Sequence, residues 1–191
     1  MDREFRLANV DDIDEILQLH LRYQIDSIDE RDKQDGFITT AFNQQQLVEL
    51  IAEAGLSIAI LNGHIVAYAM AASWQFWSRW PMFAYMMEGL STLEYKGQQI
   101  SVENSYQYGP VCVDKHVRGC GVFEGIFAFS LSQMASRYPI LVTFINKTNS
   151  RSFIAHTQKA KLDVIQEFTY NNNQYYELAC LTSLKFDKGS I

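Results

Sequence analysis

The sequence predicts a mixed α/β fold: a central twisted sheet of about seven strands with helices on both faces. Three observations point to it. Residues Ile140 to Ile145 are apolar almost without a break over the length of one strand, as in a strand covered on both sides. That strand follows an earlier one, Tyr106 to Asp114, through a glycine turn and a single amphipathic helix, which are the parts of a right-handed parallel crossover. Two hairpin signals supply the remaining pairs: Asn62-Gly63 between strands Leu56 to Leu61 and His64 to Ala72, and Asn171 to Asn173 between Leu162 to Tyr170 and Tyr175 to Leu181.

Taken in order, Phe5 to Ala8 is the first strand. Asp11 and Asp12 suit the start of a helix whose apolar face is Ile13, Ile16, Leu17 and His20-Leu21. Asp26 to Gly36 is polar and reads as a loop, and a second helix runs from Asn43 to Ala54, ended by Gly55. The strand Tyr106 to Asp114 contains Gly109-Pro110. Proline has no N–H for a ladder, so the strand is expected to bulge or unpair there and expose main-chain groups to a ligand. Phe127, Leu131, Met134 and Tyr138 then recur at helical spacing up to Pro139. The order is β-α-α-β-β, then β-α-β-α-β-β.

The chain's 191 residues are one domain's worth, so a single domain over 1–191 is expected. With 48% hydrophobic and 20% charged residues it has material for a core and does not read as disordered. A formal charge of −6 and a pI near 5.2 argue against a nucleic-acid footprint and favour cationic partners. The three cysteines, Cys112, Cys120 and Cys180, form neither a pairing framework nor a close-spaced metal motif. No metal is expected, and the cytoplasm is the simplest location. The N-terminus lacks a signal-peptide pattern, and no apolar run approaches the ~20 residues of a membrane span.

The most informative segment is Val113 to Gly125, in which a strand enters a basic turn holding Gly119 and Gly121 and leaves as a helix. Glycine lets a ligand approach the main chain and lets several N–H groups turn the same way. A helix start adds unpaired N–H groups and partial positive charge, and Arg118 adds a guanidinium. The segment is therefore suited to a phosphorylated ligand. It is not a Walker loop, because Val122 and Phe123 follow Gly121 in place of Lys-Ser/Thr. Nor is it a dinucleotide fingerprint: Glu124 holds the third glycine position, and Gly125 comes one residue late. Inside a helix Gly125 is expected to cost about 1 kcal/mol against alanine.

Arg118-Gly119-Cys120-Gly121-Val122-Phe123 resembles the acyl-coenzyme A loop of the GNAT superfamily of N-acetyltransferases, Gln/Arg-x-x-Gly-x-Gly/Ala between a strand and a helix. Phe123 departs from the usual glycine or alanine but keeps its N–H. Asn149 to Lys159 resembles the family's next element, with Asn149 as its cofactor-contacting asparagine and Ser152 as the small residue one turn on. Asparagine is equally a good helix N-cap. The resemblance extends over nearly the whole chain and implies the GNAT-type sheet, with acetyl-CoA as cosubstrate. It implies cofactor binding by the main chain of Val111, Cys112 and Val113, by Arg118, Gly119, Cys120, Gly121, Val122 and Phe123, and by Asn149, Ser152 and His156. His156 stands where many relatives carry a tyrosine as general acid toward the leaving thiolate. Packing on a helix face is the other reading of that histidine.

The implied reaction is direct attack of a primary amine, from a small molecule or a protein, on the thioester in a ternary complex. A proton acceptor is then needed, and Glu103, ahead of the Gly109-Pro110 strand, is the candidate carboxylate; an exposed loop glutamate is its alternative. Tyr106 and Tyr108 are candidates for positioning the amine. Cys120 reads as a small loop residue and not as a nucleophile. Trp74 to Met87 is dense in aromatics, and Trp74, Trp77, Trp80 and Phe83 suit an acceptor pocket, a core or a homodimer patch. A non-catalytic acyl-CoA-binding module is the alternative function, and a nucleotide-binding enzyme is a third.

Overall fold

The computed structural model describes residues 3–184. Its elements, in order, are β1 (Arg3–Leu7), α1 (Ile13–Tyr23), α2 (Gln44–Ala52), β2 (Leu56–Leu61), β3 (His64–Ala72), α3 (Trp74–Trp77) and α4 (Pro81–Gly89). There follow β4 (Glu94–Tyr95), β5 (Gln98–Gln99), β6 (Ser105–Val113), α5 (Val122–Met134), β7 (Ile140–Asn146), α6 (Ser150–Ile154), β8 (Asp163–Tyr170) and β9 (Asn173–Leu181). Seven strands form one sheet in the order β1-β2-β3-β6-β7-β9-β8, and β4 with β5 forms a separate small hairpin. β6 and β7 are parallel, while β1–β2, β2–β3, β7–β9 and β8–β9 are antiparallel. This is the mixed, helix-flanked sheet that the sequence predicts. α3, α4 and the β4–β5 hairpin are additional, inserted between the third and fourth strands of that sheet.

The chain divides into two compact units, which are described separately. The first holds residues 3–70 and 109–133. Asn9 and Asp12 form a reciprocal capping box at the turn before α1, and Asp12 also takes two bonds from Arg6, at 2.7 and 2.8 Å. α1 buries Ile13, Ile16, Leu19, His20 and Tyr23. The expected Leu21 is 56% exposed, because the buried stripe passes through Leu19 instead. Asn43 and Gln46 cap α2 in the same reciprocal way. The left-handed residue after α2 is Ala54, at φ 52°, one position before the expected Gly55. The expected loop at 26–36 contains a short 3-10 turn, Glu30–Asp35.

Gly125 finds its reason here. A Cβ at that position would sit 2.2 Å from the Phe5 ring, so β1 can lay an aromatic against α5 only where α5 has no side chain. The propensity cost read from the sequence is accepted for that contact.

The second unit holds residues 71–108 and 134–184. β7 pairs with β9 along its whole length, Ile140 to Asn146, but with β6 only at Ser105 to Gln107. The loss of pairing expected near Gly109-Pro110 thus begins two residues earlier. The β8–β9 hairpin turns at Asn171 and Asn172, both at positive φ (46° and 62°), as a two-residue turn requires. α5 ends at Met134, short of the expected Tyr138, and a turn follows in which Tyr138 N–H still bonds the Met134 carbonyl at 3.0 Å. Trp74, Met86, Leu90, Leu93, Tyr95 and Ile100 pack on Ile140, Val142 and Ala179 of the sheet. Phe83 stacks on Trp77 (4.8 Å between ring centres) and meets Phe144 edge-on (5.4 Å). The aromatic segment is therefore a built core over β7 and β9.

Candidate acyl-CoA site

In the first unit, the chain leaves β6 through a series of clamps. Asp114 N–H bonds the Val66 carbonyl at 2.8 Å, and the Asp114 carboxylate accepts from His116 N–H (3.0 Å) and from Arg22 (2.9 Å). Lys115 N–H donates to the Tyr23 hydroxyl at 2.7 Å. Arg118 donates its Nε–H to the Val113 carbonyl (3.0 Å) and lies 5.2 Å from the Tyr23 ring centre. The end of α1, through Arg22 and Tyr23, thereby braces the turn. Two of the residues expected to bind through their main chain differ in state: the Val113 carbonyl is already an acceptor, and Cys112 is buried, its thiol pushed up to about 12 by desolvation.

Beyond Arg118 the backbone turns left-handed twice, at Gly119 (φ 82°) and Gly121 (φ 76°), with Cys120 exposed between them. Among the described residues, no acceptor takes the N–H groups of Gly119, Cys120, Gly121 or Val122. Gly125 N–H bonds the Gly121 carbonyl at 3.0 Å, which starts the α5 ladder. Four amides at a helix start, beside a guanidinium, form a site able to hold phosphate oxygens. One member of this arrangement carries no sequence signal: Arg3, 117 residues away on β1, donates from Nη2 to the Cys120 carbonyl at 2.6 Å.

In the second unit, Asn149 caps α6, its Oδ1 accepting from Ser152 N–H at 3.1 Å. The helix then widens into a π turn, Ala155–Lys159, where Ala160 N–H reaches the Ala155 carbonyl. Such turns recur at functional sites. His156 is buried, and its Nδ1 lies 2.8 Å from the Ser152 carbonyl. A carbonyl only accepts, so Nδ1 carries the proton in the neutral ring. Desolvation pushes the His156 pKa down to about 4. In this placement burial favours the neutral imidazole.

Tyr108 and Tyr106 are fully buried, and burial drives both phenols upward. The Tyr108 carbonyl, past the end of the β6–β7 ladder, accepts from Thr143 Oγ1 (2.7 Å) and Gln107 Nε2 (2.6 Å). Trp74 and Trp77 are buried as well, their indole N–H groups bonded to Ser105 Oγ (2.9 Å) and the Gln107 carbonyl (3.1 Å). Of the residues expected as acceptor contacts, Trp77 and Tyr106 are buried in the core, and Trp74 is buried beside a pocket that it lines with Ser73, Met87 and Glu88. Glu103 is exposed in the turn before β6, its own N–H bonded to Ser101 Oγ. Glu177 on β9 is not among the residues expected from the sequence. It is buried, bonded by Gln166 Nε2 at 2.6 Å, and pushed up to about 7 by desolvation. Its inward phase between Tyr175 and Ala179 was the available signal.

Among the described residues no cluster of metal-ligating side chains occurs, and no helix is long and apolar enough to cross a membrane. No protein-family model matches the chain, and no curated protein does. Solved structures do. An acetyltransferase of the GNAT family from Streptococcus pneumoniae shares 12% identity over 94% of this chain and 99% of that one, with a TM-score of 0.64. The polyamine N-acetyltransferase of Drosophila melanogaster shares 10% over 94% and 100%, also at 0.64. The Salmonella typhimurium protein yncA, described as an acetyltransferase and solved with its cofactor acetyl-CoA, shares 10% over 95% and 94%, again at 0.64. At these identities the likeness is one of fold, and the fold is that of the GNAT N-acetyltransferases.

Proposed function

We propose that the chain is an acyl-CoA-dependent N-acetyltransferase that moves an acetyl group from acetyl-CoA to a primary amine by direct attack in a ternary complex. The observation that carries this reading is the set of unclaimed amides from Gly119 to Val122, at the start of α5 in a chain with this fold. These N–H groups, with that of Phe123 and the Arg118 guanidinium, hold the diphosphate of the carrier. The main chain at Val111 to Val113 belongs to the same binding role; in the second unit, the resemblance assigns a cofactor-binding role to Asn149, Ser152 and His156. In the reaction the amine nitrogen attacks the thioester carbonyl carbon, the C–S bond breaks, and the sulfur leaves as thiolate. Holding both partners in one complex supplies much of the rate. The proton lost by the amine passes, directly or through water, to Glu103. Tyr108 acts on the acceptor through the position of its carbonyl and ring, not by ionising.

The acceptor is a cationic small-molecule amine or a protein amine. The chain's charge of −6 and the polyamine acetyltransferase among its structural neighbours support the former. Free thiols at Cys112, Cys120 and Cys180 fit a cytoplasmic place of action. A second reading has its own support: Trp74, Trp77 and Tyr106 are core, which favours a module that holds acyl-CoA without an acceptor groove. One experiment separates the two. Acetyl-CoA binding is measured by calorimetry, and free thiol release is followed with agmatine, spermidine and lysine peptides. Binding with thiol release supports the transferase, binding without release supports the module, and no binding at millimolar acetyl-CoA rejects both.

A further inference from the structure

We infer that Arg3 pre-organises the phosphate loop by holding the peptide unit between Cys120 and Gly121 in its anion-binding orientation. This rests on the acyl-CoA reading of the loop and adds to it a positioning residue from the far end of the chain.

Arg3 Nη2 donates to the Cys120 carbonyl at 2.6 Å, and Nη1 lies 3.4 Å from where a Cβ on Gly121 would stand. In a trans peptide the C=O and the following N–H point in opposite directions. Gripping the Cys120 oxygen therefore turns the Gly121 N–H away from Arg3, to the side left for a ligand. The guanidinium also draws electron density toward that oxygen, which makes the same unit's N–H a better donor.

The clamp matters because, among the described residues, no other hydrogen bond fixes the 120–121 peptide unit itself. The peptide at 120–121 can turn over by changing ψ of Cys120 and φ of Gly121, and glycine tolerates either sign of φ. Cys120 is exposed, so no side-chain packing holds it, and among the described residues no acceptor fixes the Gly121 N–H. Without Arg3 the unit populates both orientations, and the inverted one points a carbonyl at the phosphate. A loop competent for only a fraction of the time binds more weakly by that fraction.

The test compares acetyl-CoA with S-acetylpantetheine, which carries the thioester but no phosphate, on wild type, Arg3→Met and Arg3→Lys. Binding is read by calorimetry. Arg3→Met is expected to weaken acetyl-CoA about five- to tenfold, as for a competent fraction of roughly 0.1–0.2. It should leave S-acetylpantetheine unchanged, with a melting temperature close to wild type. Arg3→Lys, which still donates to a carbonyl, should restore acetyl-CoA to within about twofold. Line broadening of the Gly121 amide in the Arg3→Met nitrogen–proton spectrum, absent in wild type, reports the released peptide. Unchanged acetyl-CoA affinity in Arg3→Met overturns the inference, as does an equal loss for both ligands. Should wild type fail to bind acetyl-CoA, the reading of the protein falls first and this inference with it. Arg3→Gln serves as a second neutral variant if Arg3→Met does not fold.

Discussion

The turn at 118–122 and the aromatic segment at 74–87 are both short and compositionally unusual, yet the chain uses them in opposite ways. In the turn the side chains are few and small, the backbone is left-handed at two glycines, and among the described residues four main-chain N–H groups have no acceptor. In the aromatic segment the backbone is ordinary helix, Trp74 and Trp77 are buried, and both indole N–H groups are bonded internally. Polar groups withheld from internal pairing at a loop are available to a ligand. Polar groups fully paired within a core serve the fold. Unusual composition alone does not distinguish the two; hydrogen-bond satisfaction does.

The largest expected effect tests the core side. Trp77→Ala removes the stack on Phe83 and leaves the buried Gln107 carbonyl without its indole donor. It should cost about 3–5 kcal/mol of stability. Chemical denaturation measures this. If stability held while KM for the amine rose severalfold, the segment would be a pocket wall and the contrast with the turn would fail. Gly121→Asp tests the other side. An aspartate at φ 76° is strained by about 1–2 kcal/mol and brings negative charge to a phosphate site. Acetyl-CoA affinity should fall about a hundredfold or more, with a melting temperature only a few degrees lower. Equal affinity would remove the turn from the binding site.

Buried titratable groups extend the contrast to pH. The Glu177 carboxyl, raised to about 7 by burial, is protonated in the fold and ionised in the unfolded chain above pH 4.5. Its contribution is full below that pH and is lost as pH rises toward 7, a change on the order of 3 kcal/mol. His20 and His156, both lowered to about 4, act oppositely: their stabilisation is full above pH 6.5 and is lost as pH falls toward 4. Glu177→Gln should therefore flatten the decline between pH 5 and 7 in urea unfolding and leave the acid limb intact. A decline of unchanged slope would mean that Glu177 ionises freely in the fold.

Backbone chemistry was legible in the sequence, and side-chain direction was not. Asn62-Gly63 and the run Asn171 to Asn173 mark turns because few residues accept positive φ; the first turns where expected, and the second at Asn171-Asn172, with Asn173 already in β9. Gly119 and Gly121 are read the same way. The roles of Trp74 and Tyr106 were not legible, because an aromatic residue serves a core or a pocket equally well, and their partners, Ser105 for Trp74 and Tyr138 for Tyr106, are set by the fold. Arg3 was invisible because its partner is a carbonyl, which every residue has. His156 was visible as a residue but not as a tautomer, because the Ser152 carbonyl that fixes it comes from one turn of helix geometry.

The smallest expected effect falls on Asn149, which lies between the two categories. Its Oδ1 is spent on the Ser152 N–H, as in a purely structural cap, and its amide Nδ2 remains for a ligand. Two substitutions separate the halves. Asn149→Ala removes cap and amide together and should cost about 1 kcal/mol of stability. Asn149→Asp keeps a cap, improved by its charge at a helix start, but replaces the donor with an anion. If Asn149 only caps, acetyl-CoA affinity survives Asn149→Asp. If the amide donates to the carrier, affinity falls severalfold while stability is kept, because a donor-to-acceptor change and repulsion from phosphates act only in the bound state. Calorimetry paired with thermal melting reads both quantities on one sample. We expect the second result, since a cap in the chain's own service does not exhaust an asparagine.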